Sequence, residues 1–428
     1  LLNTGGTPRG CPPVFKSKPP YSFYPHLSTT SLQIDMNQGN NAANAGQAAG
    51  NGAAGGNGNP LPHFMQGNPH PVLMLATANV QGSYGRNVNL ANAGPPNNNY
   101  PAKMTMDWLE RNVLCSEAYA VTFAMDIGLI SSNRTCPFQG CGAAMKLKPR
   151  AGQPRANGGR GPATFIWKCK RSIAGQKHTC TRSIKDGSWF SKSNLTIGEI
   201  LRFTFLWCNS CGSTTQASIS GHSSATVCDW RNFCREVVQI YFIDNSQPIG
   251  GPGMIVEIDE AKFGKRKYNR GHRVEGFWVI GAVARGHPDE VAMLKVPESL
   301  LPGDQAPTQH RDAATLLPWI AANVRAGSTI QTDGWPAYNG IAQIANRNYQ
   351  HTTVVHAHEF VAADGTHTNS IESAWSKVRA RIPRHGARKH FADGFLGEYI
   401  FHQKCRHGGL DPFMHFLTTV VLSIYAPP

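Results

Sequence analysis

The sequence predicts a mixed α/β fold for its C-terminal part, preceded by a cysteine-bearing basic region and a small helical one. Three observations lead there. Beyond residue 253, short apolar strands alternate with apolar-faced helices. Between about 134 and 192, four cysteines sit among Gly, Lys and Arg, with too little apolar content to fold unaided. Residues 37–60 contain only Asn, Gln, Gly, Ala and a closing Pro, which cannot bury enough apolar area to offset the entropy of ordering. A length of 428 residues leaves room for roughly two or three domains.

In chain order, residues 1–100 read as a disordered low-complexity tail. Folded sequence starts near Met104, and 105–128 reads as helical, with Trp108, Leu109, Val113, Leu114 and Phe123. The cysteine-bearing region completes 101–194. Residues 195–207 carry the apolar face of a helix, and 214–222 and 224–242 suggest two more around Ser220-Gly221-His222. The span 195–250 is therefore a helical region with a candidate helix-turn-helix, although small helix pairs without DNA contact are at least as common. Residues 248–253, Pro-Ile-Gly-Gly-Pro-Gly, break regular structure and mark a boundary, so the α/β core takes 251–428. Within it, strands are expected at 254–258, 276–284, 291–296, 329–332 and 352–356, and helices at 313–324, 370–381 and 391–402.

The formal net charge is +15, from 41 Lys+Arg against 26 Asp+Glu. Such a balance points to a polyanion, either nucleic acid or an anionic membrane surface. The excess is uneven: +3 over 1–100, +9 over 101–253 and +3 over 254–428. Residues 145–192 hold twelve Lys/Arg and one acid, Asp186. A single-sign surface of this kind suits counterion release from DNA, with Lys168, Lys170 and Arg171 as candidate contacts; a solvated loop is the plainer alternative. No run of about eighteen apolar residues exists, so no membrane span is expected. The first thirty residues lack the apolar core of a secretion signal. Cysteine numbers 11, odd and sparse, which favours a reducing compartment with some thiols on metal.

Cys136 and Cys141, then Cys169 and Cys180, frame a zinc ribbon, in which four ligands hold one structural Zn²⁺ tetrahedrally. The spacings are loose, and His178 can replace Cys180. Four buried free cysteines are the alternative. Cys208 and Cys211 form a tighter pair but close an apolar helix, so core cysteines are expected there.

Three acids stand apart. Asp259 follows the strand at 255–258, Asp333 follows the strand at 329–332, and Glu372 lies near the start of a helix from about Asn369. Carboxylates from two strands and a helix can hold two Mg²⁺ or Mn²⁺ ions for phosphodiester displacement. Each has a plain alternative. Glu257 or Glu260 can serve in place of Asp259, and alternation sets Glu257 and Asp259 on one face. Asp333-Gly334 is a common turn pair. Asn369-Ser-Ile-Glu372 fits a capping box with Asn369 as N-cap. The residues alone stop at a metal-dependent phosphoryl-transfer site.

The stretches Val256-Glu-Ile-Asp-Glu-Ala-Lys-Phe-Gly264, Gly276-Phe-Trp-Val-Ile-Gly281, Thr332-Asp-Gly-Trp-Pro-Ala-Tyr338 and His367-Thr-Asn-Ser-Ile-Glu-Ser-Ala-Trp375 resemble the DDE transposases of the Merlin superfamily and their bacterial insertion-sequence relatives. The likeness covers about 254–406. It implies a ribonuclease-H-like core, a five-stranded mixed sheet with flanking helices, preceded by a zinc ribbon. It implies Asp259 on the first strand, Asp333 beside the fourth and Glu372 on a following helix as the catalytic, metal-binding triad, with Asn369 as the alternative third position. The tail and the long Gly/Arg-rich insert between Cys141 and Cys169 depart from the family pattern.

The expected activity is cut-and-paste transposition: hydrolysis at terminal inverted repeats, then strand transfer by the 3′-hydroxyl into target DNA. A domesticated DNA-binding protein and a metal-dependent nuclease are the alternatives. Lys377, Arg379, Arg381, Arg384, Arg388 and Lys389 form an acid-free run that either clamps DNA or forms a solvated face. The expected partners are DNA and further copies of the chain, with neither a membrane nor a small-molecule substrate. The expected location is nuclear in a eukaryote and cytoplasmic otherwise.

Overall fold

The structure, a computed structural model, describes residues 100–152, 161–264, 276–299, 304, 307–354, 367–382 and 389–425. The tail expected over 1–100 lies outside these but for its last residue, and so do Arg384 and Arg388.

The helical stretch expected at 105–128 is two helices, α1 (Met106–Asn112) and α2 (Glu117–Asp126). Two caps divide it. Thr105 Oγ1 accepts from the Trp108 amide at 3.2 Å, and Ser116 Oγ from the Tyr119 amide at 3.4 Å. Strands β1 (Lys146–Arg150), β2 (Thr164–Ile173) and β3 (Gln176–Ser183) follow as an antiparallel sheet. Helix α3 (Ile197–Cys208) opens on a capping box between Thr196 and Glu199. Its Ile197 and Gly198 amides donate to Glu117 of α2 at 2.9 and 3.0 Å. Helices α4 (Ser213–Ser220) and α5 (Ser224–Gln239) meet around Gly221, left-handed at φ 69°.

Next come β4 (Ile255–Phe263), β5 (Phe277–Ala284), β6 (His287–Lys295), the two-residue β7 (Glu298–Ser299) and β8 (Thr308–Gln309), α6 (Ala313–Asn323), β9 (Thr329–Asp333), β10 (Gln350–Val354), α7 (Asn369–Arg381) and α8 (Ala392–His407). Five of the strands form one mixed sheet in the order β6-β5-β4-β9-β10. Strands β4, β5 and β6 are antiparallel, while β9 and β10 run parallel to β4. Parallel pairing requires a crossover, and α6 supplies one ahead of β9.

Alternation gives the sheet two covered faces. Val256, Ile258, Ile280 and Ala282 pack with Leu316 and Ile320 of α6. Ala261, Phe263, Val279 and Val283 pack with Ile371, Trp375 and Val378 of α7 and Leu396 and Ile400 of α8. The second cluster continues into Phe123, Phe203 and Val237 of the N-terminal helices.

One sequence expectation needs correction. Strand β4 does not end at 258: Asp259 and Glu260 pair with Gly281 and Ile280 of β5, so Asp259 lies within the strand. Residues 248–253, expected as a boundary, are bound to the sheet's surroundings. Ile249 donates to Asn323 O at 2.9 Å, and Gly250 donates to Glu290 at 2.7 Å. At φ 77° Gly250 also lies so close to Val256 that a Cβ would come within 2.5 Å of it. No helix among the described residues is long and apolar enough to cross a membrane.

Candidate active site

Strand β4 places Asp259 half-buried on the α7 side of the sheet. Parallel strand β9 ends on Asp333, whose Oδ1 accepts from the Trp335 amide at 3.0 Å and turns the chain. Glu372 projects, exposed, from the first turn of α7. The pKa of Asp259 is pushed up to about 6, first by burial and then by the charges of Asp333 and Glu372. The opposing influences are a hydrogen bond donated by Trp375 Nε1 at 3.0 Å and one from the Glu260 amide. The three acids are thus electrostatic neighbours, but their oxygens are more widely set than a closed ligand group. Among the described residues only the cysteine–histidine cluster has all its ligand atoms within 4.8 Å of one another.

Hydrogen bonding separates the acids that alternation leaves together. Glu257 is fully buried, and its four acceptor positions are filled. Oε2 accepts from the Ser370 and Ile371 amides at 2.7 and 3.2 Å; Oε1 accepts from Ser370 Oγ at 3.0 Å and Arg285 Nε at 2.8 Å. Arg285 Nη2 also donates to His367 O at 2.9 Å and to Gln331 Oε1. Strands β4, β5 and β9 therefore grip the positive end of α7 through one carboxylate and the residues around it. Glu260 points to the opposite face, where Tyr338 donates to it at 2.7 Å. Burial, followed by the charges of Asp259 and Asp333, raises its pKa to about 7 despite that bond.

The N-cap of α7 is Thr368, not Asn369, so Glu372 is not the N3 residue of a capping box. The carboxylate serving the free amides comes from β4, beyond the reach of a local motif. Asn369 is the exposed first helical residue.

Trp375 crosses from α7 to Asp259 because Gly281 leaves room. A Cβ at 281 would lie 2.5 Å from Trp375 Cη2 and 3.1 Å from Ile371 Cδ1. This glycine is needed for a close approach, and its φ is not at issue.

Ahead of the sheet, Cys136, Cys141, Cys169 and His178 bring their ligand atoms within 4.8 Å of one another. His178 Nε2 lies 3.7 Å from Cys136 Sγ and 3.6 Å from Cys169 Sγ. Cys180, expected first as the fourth ligand, is not part of this group, which holds His178, but its thiol hydrogen-bonds Cys136 at the edge of the cluster. His178 and Cys180 lie on one face of β3, two apart, so spacing does not choose between them. Burial raises the Cys136 thiol, but the Phe138 amide, His178 and neighbouring thiols outweigh it and bring the pKa to about 7. Three thiols and an imidazole suit zinc. Cys208 and Cys234 are free and buried, as core cysteines are.

The candidate DNA contacts differ in availability. Lys168 and Lys170 are exposed on one face of β2, and Arg171 is exposed beyond Cys169. Lys168 pairs directly with the exposed Lys146 of β1, a like-charge juxtaposition that an anion would relieve. On α7, Lys377 is exposed, Arg379 lies 5.4 Å over Phe263, and Arg381 lies 5.6 Å over Tyr399. Lys389 pairs with Glu298. In α5 both arginines turn inward: Arg231 and Arg235 bind Glu398 of α8 at 3.5 and 2.6 Å.

Together these features define an acid-lined site on a mixed α/β sheet, with a cysteine–histidine cluster in the region before it. Residues 249–403 match the family model of the ISXO2-like transposase domain, consistent with a DDE transposase of insertion-sequence type. The matched segment agrees with the resemblance read over 254–406 and runs from before β4 into α8. No curated protein matches the chain.

Proposed function

We propose that the protein is a cut-and-paste DNA transposase with a ribonuclease-H-like core and the catalytic triad Asp259, Asp333 and Glu372. The observation that carries this reading is the electrostatic tension at Asp259. Burial first and then two other acids press on it, and among the described residues neither Asp259 nor Asp333 forms an ion pair. Hard, uncompensated oxygen donors fit Mg²⁺ or Mn²⁺. Two such ions, when bound by the triad, would activate the attacking oxygen and stabilise the leaving one. The strand order, with an antiparallel trio joined to a parallel pair, supports the ribonuclease-H-like assignment.

In this reading Trp375 orients Asp259, and the grip of Glu257 on α7 sets the position of Glu372. Glu372 is preferred to Asn369 because a carboxylate is the stronger ligand for a hard cation. Water attacks phosphorus at an element end, the P–O3′ bond breaks, and the 3′-hydroxyl so released attacks a phosphodiester of target DNA. Cys136, Cys141, Cys169 and His178 would hold one zinc, which cross-links a region of low apolar content. The lysine face of β1 and β2 would then meet the DNA backbone. End recognition is assigned to this ribbon, since the arginines of α5 are held by Glu398. Bringing two ends together calls for at least two copies of the chain.

The test incubates the full chain with duplexes bearing the element's own ends, a target plasmid, and Mg²⁺ or Mn²⁺. Cleavage followed by joining is expected from the wild type, and neither from Asp259→Asn nor Asp333→Asn. Cleavage without joining would identify a nuclease. Binding without cleavage would identify a DNA-binding protein, and full activity in either variant would remove the triad.

A further inference from the structure

Beside the acids lies an aromatic and cationic group that the proposed chemistry does not use. Trp335 is 42% exposed, although both its N–H groups are tied down. Its amide donates to Asp333 Oδ1 at 3.0 Å and its indole Nε1 to Arg311 O at 3.3 Å. The Arg311 guanidinium lies 3.6 Å from the centre of the Trp278 ring and 5.3 Å from that of Trp335. Lys262 Nζ lies 5.5 Å from the Trp278 ring. Trp278 is held in turn by Gln309, which accepts from its amide at 2.7 Å and donates to its carbonyl at 3.2 Å. Among the described residues Arg311 and Lys262 form no ion pair.

We infer that Trp335, Arg311, Trp278 and Lys262 form a seat for an unpaired nucleobase and its phosphate next to the cleavage point. The inference rests on the transposase reading above and adds a subsite to it. A rigidly mounted indole with an open face offers stacking to any base, and a base offers its own face only when it has left the duplex. Two cations at the same spot supply the charge that a phosphate needs. Lys262, three residues beyond Asp259 on β4, and its cross-strand partner Trp278 lie on the other face of the sheet from Asp259. Trp335 ties that group to the acids through its amide bond to Asp333, so the seat serves a nucleotide flanking the scissile phosphate.

The test uses the full chain and two DNA probes of one sequence, a blunt duplex and a duplex with a short unpaired tail carrying 2-aminopurine. Wild type should bind the tailed probe more tightly and quench its fluorescence. Trp335→Ala should lose roughly tenfold in affinity for the tailed probe, together with the quenching. Trp335→Phe should keep most of both, which also guards against misfolding. Retention of quenching by Trp335→Ala, or an equal loss on blunt and tailed DNA, would overturn the seat. A wild type that binds both probes alike without quenching would overturn it too, while leaving the cleavage reading intact. Quenching by a protein that fails the cleavage assay would keep the seat and remove the transposase.

Discussion

Replacing Asp259 by Asn should make the metal-free protein more stable at neutral pH while ending catalysis. The pKa of Asp259 rises from 3.8 to about 6 on folding. That rise corresponds to about 3 kcal/mol of unfavourable free energy once the group is ionised. The sign follows from the proton: the folded carboxyl holds it more tightly than the unfolded one. Wild type is therefore relatively most stable below the unfolded value of 3.8, and it loses stability as pH rises through about 6. Asn has no proton to lose and escapes the deficit. Weakening of the Trp375 hydrogen bond and solvent on the open side of the site reduce the gain to about 1–2 kcal/mol. The Tm should rise by several degrees, at about 2–4 °C per kcal/mol for a chain segment of this size. Thermal melts across the acid-to-neutral range, with and without Mg²⁺, read this directly. The variant should lead at neutral pH, lose its lead at acid pH, and gain nothing from Mg²⁺ that stabilises wild type. A variant no more stable than wild type at neutral pH, or with the same lead in acid, would refute the electrostatic account of the site.

Three other outcomes are expected. Glu257→Ala leaves Arg285 and two α7 amides without their carboxylate, and it should cost about 3–5 kcal/mol. Hydrogen exchange at Ser370 and Ile371 should speed up selectively. Gly281→Ala forces a Cβ into the Trp375 ring, costing about 1–3 kcal/mol; lost cleavage with altered Trp fluorescence would show that α7 has moved. Zinc analysis of the full chain should find about one ion in wild type and in Cys180→Ser. Little should remain in Cys136→Ser or His178→Ala, and a zinc-free Cys180→Ser would return the fourth position to Cys180.

Much of the architecture was legible because it rests on local pattern. Alternating apolar residues place the core strands, and breakers place their ends to within a few residues. Where the reading slipped, the deciding partner was remote. Asp259 and Glu260 look like the end of a strand, yet pairing with Gly281 and Ile280 carries β4 to Phe263. Asn369 and Glu372 look like a capping box, yet the amides of Ser370 and Ile371 find Glu257 instead, more than a hundred positions upstream. The helix over 224–242 looks like the second member of a helix-turn-helix, but its arginines, Arg231 and Arg235, are both taken by Glu398 of α8. Gly281 and Trp375 are visible as motif letters, while their mutual fit is visible only in space.

The sequence by itself determined the kinds of chemistry on offer: the α/β order, the cysteine–histidine ligand types, the basic block ahead of the core, and the acids to be weighed. Residue type and short-range spacing carry those properties, and neither depends on distant contacts. Tertiary structure alone decided where each member of these sets is placed and what it touches. It separated Glu257 from Asp259 by filling every acceptor position of Glu257. It brought His178 to within 4.8 Å of Cys136, Cys141 and Cys169. It also left Trp335 open beside Asp333. Each decision depends on desolvation and on hydrogen bonds between segments far apart in the chain, which exist only once the sheet has closed around them.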